Sequence, residues 1–265
     1  ADMSKDVTLK SDDMSEKSIA AGKIDTVIFD LDGTLLYTIE DLAASTNHAL
    51  QQYGMPERTL EEVTAFVGNG VAKLIERAVV PGTDKELFDK VFVEFKKHYA
   101  VHNLDHTRPY PGIVDMLTGL KEHGYKVAVV SNKLQSATQS LCEHFFGELV
   151  PLALGDNPSM AKKPEADMVN EALCRLNRSR ANAVYVGDSE VDIETAKNSG
   201  MKLIMVEWGF RKRADMEKLG AGCFIDKPEK IFDILKAAPE YPRRAEADNR
   251  ILQLLRDEKY IQRKG

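Results

Sequence analysis

The chain has 265 residues, of which 43% are hydrophobic and 29% charged, and its formal net charge is −6. This balance is ordinary for a globular protein with one large α/β domain, or with a core and an insert. The acidic charge offers no surface for nucleic acid or an anionic membrane, and no apolar run is long enough to span a bilayer. The three cysteines are far apart and odd in number, which argues against disulfide or zinc roles and favours a reducing cytoplasm.

The two ends of the chain differ from its middle in composition. Residues 1–22 are polar and lack a sustained apolar period, so we expect a flexible leader. Residues 239–265 are charged, yet they place apolar residues on one helical face, which predicts a terminal helix (Ile251, Leu252, Leu254 and Leu255). That helix could dock on the core or form a dimer contact, so a monomer and a homodimer both stay open.

The first apolar run, Thr26–Phe29, predicts a buried strand, and it ends in Asp30-Leu31-Asp32-Gly33-Thr34. Alternation along an extended chain places Asp30 and Asp32 on one side. Two like charges this close require a cation or a shared proton. An Asp-Gly turn or a calcium loop has similar residues, but the following Leu35-Leu36-Tyr37 supplies no further acidic ligands. The pattern favours a metal-dependent acid/base site at the end of the strand.

From residue 38 to residue 106 the pattern is helical, without a convincing strand. Helices are predicted at Thr38–Tyr53, after a Thr59-x-x-Glu62 capping box, at Val71–Val80, and after a Thr83-x-x-Glu86 capping box. Helices inserted directly after the first strand predict an all-α cap domain over residues 38–106, above Asp30 and Asp32.

Apolar strands and amphipathic helices alternate in the rest of the chain. Helices are predicted at Gly112–His123 and Asp167–Leu176, and strands at five further runs (Lys126–Val130, Leu149–Leu154, Ala183–Val186, Leu203–Val206 and Cys223–Ile225). This alternation predicts an α/β fold, a doubly wound Rossmann-like parallel sheet whose core spans residues 23–37 and 107–238.

Polar residues follow three of the predicted strands. Besides Asp30 and Asp32, they are Ser131-Asn132-Lys133 and Gly187-Asp188-Ser189-Glu190-Val191-Asp192. Ligands of open α/β sheets bind outside the carboxyl ends of strands, so these segments are expected to converge on one site. A structural interpretation of each stays open: Ser131-Asn132 and Ser189-x-x-Asp192 are also typical helix caps, and Lys162-Lys163 is also typical of solvated surface.

The ordered set of these motifs resembles the haloacid dehalogenase superfamily: Asp30-x-Asp32-Gly-Thr, Ser131-Asn132, Lys163-Pro164 and Gly187-Asp188-Ser189-x-x-Asp192. The helical insert and Val67-Gly68-Asn69-Gly70 are similar to its phosphoglycolate phosphatase branch. The resemblance runs from about residue 23 to residue 237. Two departures are Tyr37-Thr38, where members often carry Asp-Ser, and Glu165-Ala166 after Lys163-Pro164, where they often carry x-Pro. Neither removes a charge that the chemistry needs.

The resemblance implies a Mg²⁺-dependent phosphatase acting on a small phosphorylated metabolite. Asp30 would be the nucleophile that forms an aspartyl-phosphate, Asp32 the general acid and base, and Lys163 a positive charge on the phosphoryl group. Magnesium would be held by the Asp30 and Asp188 carboxylates and the Asp32 backbone carbonyl.

Further residues are assigned supporting roles by the same resemblance. Ser131 and Asn132 would hold phosphate oxygens, and Asp192 with Ser189 would orient Lys163 or the waters of the metal. Gly33 and Thr34 would turn the chain beside the substrate, and Asn69 would select the substrate from the cap.

Alternatives remain within the same fold. A phosphomutase of the β-phosphoglucomutase kind uses the same intermediate but protects it from water; such mutases usually have Val at the position of Thr34, so this chain favours a hydrolase. A pyrophosphatase or a nucleotidase also stays open. Dehalogenase chemistry is disfavoured by Asp32. A binding module without activity is disfavoured because Asp30, Asp32, Lys163 and Asp188 are all present.

Overall fold

The structure, a computed structural model, describes residues 15, 16, 19 and 23–235. Over residues 23–235 a parallel sheet has six strands in the order β5-β4-β1-β6-β7-β8. These strands are β1 (Thr26–Phe29), β4 (Lys126–Leu134), β5 (Leu152–Asp156), β6 (Ala183–Gly187), β7 (Lys202–Val206) and β8 (Phe224–Ile225). A separate antiparallel pair, β2 (Leu36–Tyr37) and β3 (Arg108–Pro109), carries the chain out of the core and back.

Helices cover both faces of the sheet. They are α5 (Ile113–Glu122), α6 (Gln135–Phe146), α7 (Asp167–Leu176), α8 (Glu190–Ser199), α9 (Arg213–Lys218) and α10 (Ile231–Ile234). Alternate residues of β1 point to opposite faces, so Val27 and Phe29 pack with α5, α6 and α10, whereas Ile28 packs with α7, α8 and α9. The prediction of a doubly wound α/β core is confirmed.

Strand β1 lies in the middle of the sheet, between β4 and β6. Phe29, its last residue, pairs with Val129 of β4 and Val186 of β6. The polar residues that follow these positions therefore emerge side by side at one edge of the sheet, where the direction of the connections reverses.

Between β2 and β3 the described chain forms four helices: α1 (Ile39–Gln52), α2 (Leu60–Phe66), α3 (Val71–Ala78) and α4 (Lys85–His102). We call residues 39–102 the helical insert. It has a hydrophobic core of its own, in which Leu50, Leu74 and Phe95 are almost fully buried. Leu134 and Phe210 of the sheet domain pack against this core. The division of the chain into domains at residues 38 and 106 stays a prediction.

Two predicted helix caps differ from the structure. The carboxylate of Asp84, not Thr83, accepts the hydrogen bond of the Leu87 amide at the start of α4, because an acid at this position also complements the helix dipole. Ser131-Asn132 does not cap a helix, since β4 continues to Leu134 before α6 begins. By contrast, the capping box at Thr59 is confirmed.

Few residues of the predicted leader and tail are described. Within residues 1–22, Ile19 is fully buried in the core and Ser15 forms a bridge to Gly222, contacts that a leader without fixed structure does not make. The other leader residues except Glu16, and the predicted terminal helix at 239–265, lie outside the described residues. In the part of the chain that is described, no helix combines the length and apolarity needed to cross a membrane.

Candidate active site

Asp30 follows β1 directly and lies at the centre of the polar edge. Its Oδ1 accepts a hydrogen bond from Nζ of Lys163 at 2.9 Å. The side chain of Asp30 is 12% exposed, and that of Lys163 is 2% exposed. Burial, together with the nearby charge of Asp192, raises the pKa of Asp30 to about 6, although Lys163 opposes this shift. Asp30 is therefore a nearly buried carboxylate with one ammonium partner.

Lys163 is held by three oxygen atoms. Its Nζ donates to Oδ1 of Asp30, to Oδ1 of Asp192 at 3.2 Å and to the hydroxyl of Tyr185 at 2.9 Å. Burial alone would lower the pKa of this amine, but the two carboxylates outweigh it and raise the pKa. Lys163 therefore stays positively charged, with a fixed direction, at the floor of the site.

Asp192 serves both roles that its motif left open. Its Oδ2 accepts the backbone N–H groups of Asp188 at 2.9 Å and Ser189 at 3.1 Å, as a capping residue does at the start of α8. Its Oδ1 accepts from Lys163 and from the Tyr185 hydroxyl, the latter at 2.5 Å. Both oxygens of Asp192 are thus already engaged by donors of the chain.

Asp188 follows β6 and faces Asp30 across the sheet edge. Its Oδ1 accepts from the Thr34 hydroxyl at 3.1 Å, and its Oδ2 accepts from the backbone N–H of Phe210 at 3.0 Å. Burial and the charges of Asp30 and Asp192 raise the pKa of Asp188 well above its ordinary value. This carboxylate is paired with neutral donors only, so its charge is uncompensated by the residues that touch it.

The acidic cluster fits a hard divalent cation. Within the described part of the chain, the carboxylates of Asp30, Asp188 and Asp192 place oxygen atoms within 4.8 Å of one another. Such an all-oxygen donor set suits hard divalent cations better than zinc. Because Asp192 accepts from five donor groups, Asp30 and Asp188 are the carboxylates with free lone pairs.

A cavity that is open to solvent lies above these carboxylates, between the sheet and the helical insert. Its floor is polar and comes from the strand ends (Asp30, Asp32, Ser131, Asn132, Lys133, Lys163 and Asp188). Its roof is largely apolar and comes from the insert (Leu42, Val67, Val71 and Leu74). The cavity thus combines a charged floor with an apolar roof, as expected for a site that binds a small anion.

Asn132 joins the floor of the cavity to its roof. Its amide nitrogen donates to the carbonyl of Lys163 at 2.9 Å and to the carbonyl of Gly68 at 3.1 Å, and its Oδ1 accepts from the Lys163 amide at 2.9 Å. The backbone of Lys163 is therefore fixed by Asn132, in addition to the contacts of its side chain.

Residues 27–206 match the family model of haloacid dehalogenase-like hydrolases. The chain belongs to this family. It is 35% identical to the phosphoglycolate phosphatase of Aquifex aeolicus over 188 residues, which are 70% of this chain and 86% of that protein. It is also 35% identical to the enzyme of the same name from Neisseria meningitidis over 192 residues, covering 71% and 82% of the two chains.

A solved structure gives the same result. A provisionally assigned phosphoglycolate phosphatase from Lactobacillus delbrueckii superimposes with a TM-score of 0.76 and 34% identity, and the match covers 82% of this chain and 100% of that one. The similarity to these relatives identifies the chain as a phosphoric monoester hydrolase of the haloacid dehalogenase-like family.

Three residues assigned to substrate binding lie elsewhere than expected. Asn69 is not on the cavity wall, because its Oδ1 accepts from Arg77 at 3.1 Å, whereas its neighbours Gly68 and Gly70 do line the cavity. Gly33 and Thr34 lie beneath Asp188 and also do not line the cavity. A Cβ at Gly33 would lie 2.3 Å from Oδ2 of Asp188, so this glycine makes room for a carboxylate rather than for the substrate.

Two buried residues of the site were missed from the sequence. Tyr185 was taken as part of an apolar strand, yet its hydroxyl bridges Lys163 and Asp192. Lys133 was noted at a strand end without a role, yet its Nζ lies 3.2 Å from Oδ1 of Asp32. The sequence did indicate both residues, because each carries a polar group in or next to an apolar strand segment. A buried hydroxyl or ammonium requires a hydrogen-bond or charge partner.

Arg211, after β7, is a further residue that reaches the cavity. Its guanidinium pairs with Glu190 at 2.8 Å and donates to the carbonyls of Thr64 at 2.8 Å and Val67 at 2.9 Å. These bonds tie the end of α2 to the sheet domain above the carboxylates, so Arg211 helps to hold the roof in place.

Proposed function

We propose that this protein is a Mg²⁺-dependent phosphatase that hydrolyses a small phosphate monoester through an aspartyl-phosphate on Asp30. The observation that carries the proposal is the contact of Lys163 Nζ with Asp30 Oδ1 at 2.9 Å on the floor of a cavity. A carboxylate attacks an anionic phosphate only where positive charge offsets the repulsion, and the contact supplies that charge at the attacking group.

In the first step, the Asp30 carboxylate attacks phosphorus while the bond to the ester oxygen breaks. Lys163 stabilises charge on the transferring phosphoryl group, and Ser131 and the backbone N–H of Asn132 donate to its oxygens. Asp30, Asp188 and the backbone carbonyl of Asp32 would hold Mg²⁺, which would supply further positive charge for the reaction. Tyr185 and Asp192 keep Lys163 in its direction throughout.

Asp32 acts as the acid and then as the base. Its carboxyl group protonates the leaving alkoxide, and the resulting carboxylate takes a proton from the water that attacks the phosphorus of the aspartyl-phosphate. Proton transfer of this kind contributes about 10²–10⁴ in rate. The proposal is supported by the place of Asp32 on the cavity wall, where its side chain is 21% exposed.

We propose 2-phosphoglycolate as the first candidate substrate. The support is the similarity to relatives named phosphoglycolate phosphatase at 35% identity, together with a cavity whose floor carries the charged and polar groups that bind a small anion. A mutase acting on a hexose phosphate, a pyrophosphatase and a nucleotidase are the alternatives that the assay has to separate.

The test is release of inorganic phosphate from a panel of 2-phosphoglycolate, pyrophosphate, nucleoside monophosphates and hexose phosphates, with Mg²⁺ or with EDTA. We expect Mg²⁺-dependent release with preference for 2-phosphoglycolate, and none from the Asp30→Asn variant. Preference for another ester would keep the chemistry and replace the substrate. Isomerisation of β-glucose 1-phosphate without phosphate release would establish the mutase instead.

A further inference from the structure

Lys133 is a buried cation whose partner is Asp32. Its side chain is 2% exposed, and its Nζ lies 3.2 Å from Oδ1 of Asp32. That oxygen is buried, and no other residue that the structure describes donates a hydrogen bond to it. The positive charge of Lys133 is therefore what compensates this side of the Asp32 carboxylate.

The helical insert holds Lys133 in turn. Its Nζ donates to the hydroxyl of Tyr99 at 2.7 Å and lies 4.5 Å from the centre of the Tyr99 ring. Tyr99 belongs to α4, is 4% exposed and stacks on Phe95 in the core of the insert. A line of contacts thus leads from the core of the insert through Tyr99 and Lys133 to Asp32.

This arrangement determines which oxygen of Asp32 is available. Oδ1 is buried against Lys133, whereas the Asp32 side chain as a whole is 21% exposed and lines the cavity, which leaves Oδ2 as the accessible oxygen. A carboxylate that exchanges protons with a substrate and then with water needs one oxygen in a constant direction, within hydrogen-bond reach of both. An ion pair through the other oxygen supplies that direction without occupying the reacting one.

We propose that Lys133 and Tyr99 are positioning residues for Asp32: Lys133 orients the carboxylate, and Tyr99 fixes Lys133 from the helical insert. This inference rests on the proposed function, in which Asp32 is the acid and base. It assigns a role in the reaction to the docking of α4.

The test compares two phosphates whose leaving groups differ in their need for a proton. An alkyl ester that the wild-type protein hydrolyses, 2-phosphoglycolate first, releases an alkoxide that Asp32 must protonate. Acetyl phosphate is also small but releases acetate, which needs no proton. Rapid-mixing measurements follow the first turnover, release of glycolate or acetate, separately from the steady state.

For Lys133→Met we expect the first turnover of the alkyl ester to slow by about 10- to 100-fold. The first turnover of acetyl phosphate should change by no more than about threefold, while its steady-state rate falls because water attack still needs the base. Tyr99→Phe, which keeps the ring and removes only the hydroxyl, should show the same selective pattern with a smaller effect.

Two variants at exposed positions are matched controls: Lys97→Met on α4, the helix of Tyr99, and Tyr53→Phe at the end of α1. We expect wild-type rates from both. Two outcomes in folded Lys133→Met and Tyr99→Phe proteins would overturn the inference while the proposed function stands. One is equal slowing of the first turnover of the alkyl ester and of acetyl phosphate, and the other is no slowing of either. Absence of phosphate release by the wild-type protein would instead overturn the proposed function and this inference with it.

Discussion

Nζ of Lys163 and Oδ1 of Asp30 lie 2.9 Å apart although 133 positions of sequence separate the two residues. The contact is buried, and Tyr185 and Asp192 hold the lysine from behind. In the proposed reaction, Asp30 forms the bond to phosphorus, so the ammonium is fixed next to the group that reacts. The same geometry makes the removal of Lys163 both a catalytic and a structural change.

Lys163→Met is expected to lower kcat by about 10²-fold or more, because the charge that stabilises the transferring phosphoryl group is lost. It should also destabilise the metal-free protein by about 3–5 kcal/mol, since Asp30 and Asp192 would be left buried without a cation. Steady-state kinetics and urea denaturation measure the two effects. Lys162→Met, which removes the adjacent lysine, is the control and should retain activity; a similar loss in both variants would contradict the assigned role.

Mg²⁺ is expected to stabilise the protein against heat, because it relieves repulsion among Asp30, Asp188 and Asp192. Binding to the folded state at about 100 times Kd is worth about 2.7 kcal/mol. The pKa of Asp30 is raised to about 6 without metal, so its contribution favours folding at low pH and is lost as the pH rises through about 6. The increase in Tm on adding Mg²⁺ should therefore be larger at about pH 8 than at about pH 5.

Thermal melts in Mg²⁺ and in EDTA at both pH values test this expectation. Asp188→Asn removes one carboxylate from the cluster and should lose most of the increase. An increase of equal size at both pH values, or one that Asp188→Asn retains in full, would show that the cation binds elsewhere.

Gly33→Ala is expected to lower kcat by about tenfold or more, because the new Cβ would meet Oδ2 of Asp188 at 2.3 Å and displace a carboxylate of the proposed metal site. Position 33 also has a φ of +81°, so the alanine introduced there would add backbone strain of about 1–3 kcal/mol. Gly54→Ala is a matched control, since its φ is +68° but nothing lies within 4 Å of its Cβ. The control should show the loss of stability alone; an equal loss of kcat in both would refute the steric explanation.

Asp41 joins α1 to the segment that returns from the insert. Its buried carboxylate accepts from the backbone of His106 at 3.0 Å, and from the backbone and hydroxyl of Thr107, each at 2.8 Å. Asp41→Ala would leave these donors without the acceptor, at a cost of about 3 kcal/mol. Chemical denaturation measures this loss. Asp105→Ala, a change at the exposed neighbour, should stay within about 0.5 kcal/mol of wild type.

Much of the fold was predictable because it depends on local pattern. The run Thr26–Phe29 is apolar and β-branched, and it forms β1 at those residues; the helical periodicity of Asp167–Leu176 likewise forms α7 at those residues. Boundaries were less predictable where polar side chains continue a strand. Ser131-Asn132-Lys133 follows an apolar run, as a cap would, yet it extends β4, because pairing with β5 resumes at Leu134.

The sequence by itself determined the family, since the motifs that carry Asp30, Asp32, Lys163 and Asp188 occur in the order typical of the haloacid dehalogenase superfamily. Only the tertiary structure decided which atoms meet. It turned Asn69 toward Arg77, drew Tyr185 to Lys163 and placed Lys133 between Asp32 and Tyr99. The physical reason is that local sequence fixes the direction of a side chain within a strand or loop, but not the residue that the side chain contacts. That contact depends on the burial of charged groups and on the docking of the helical insert, and no short stretch of sequence encodes either of them.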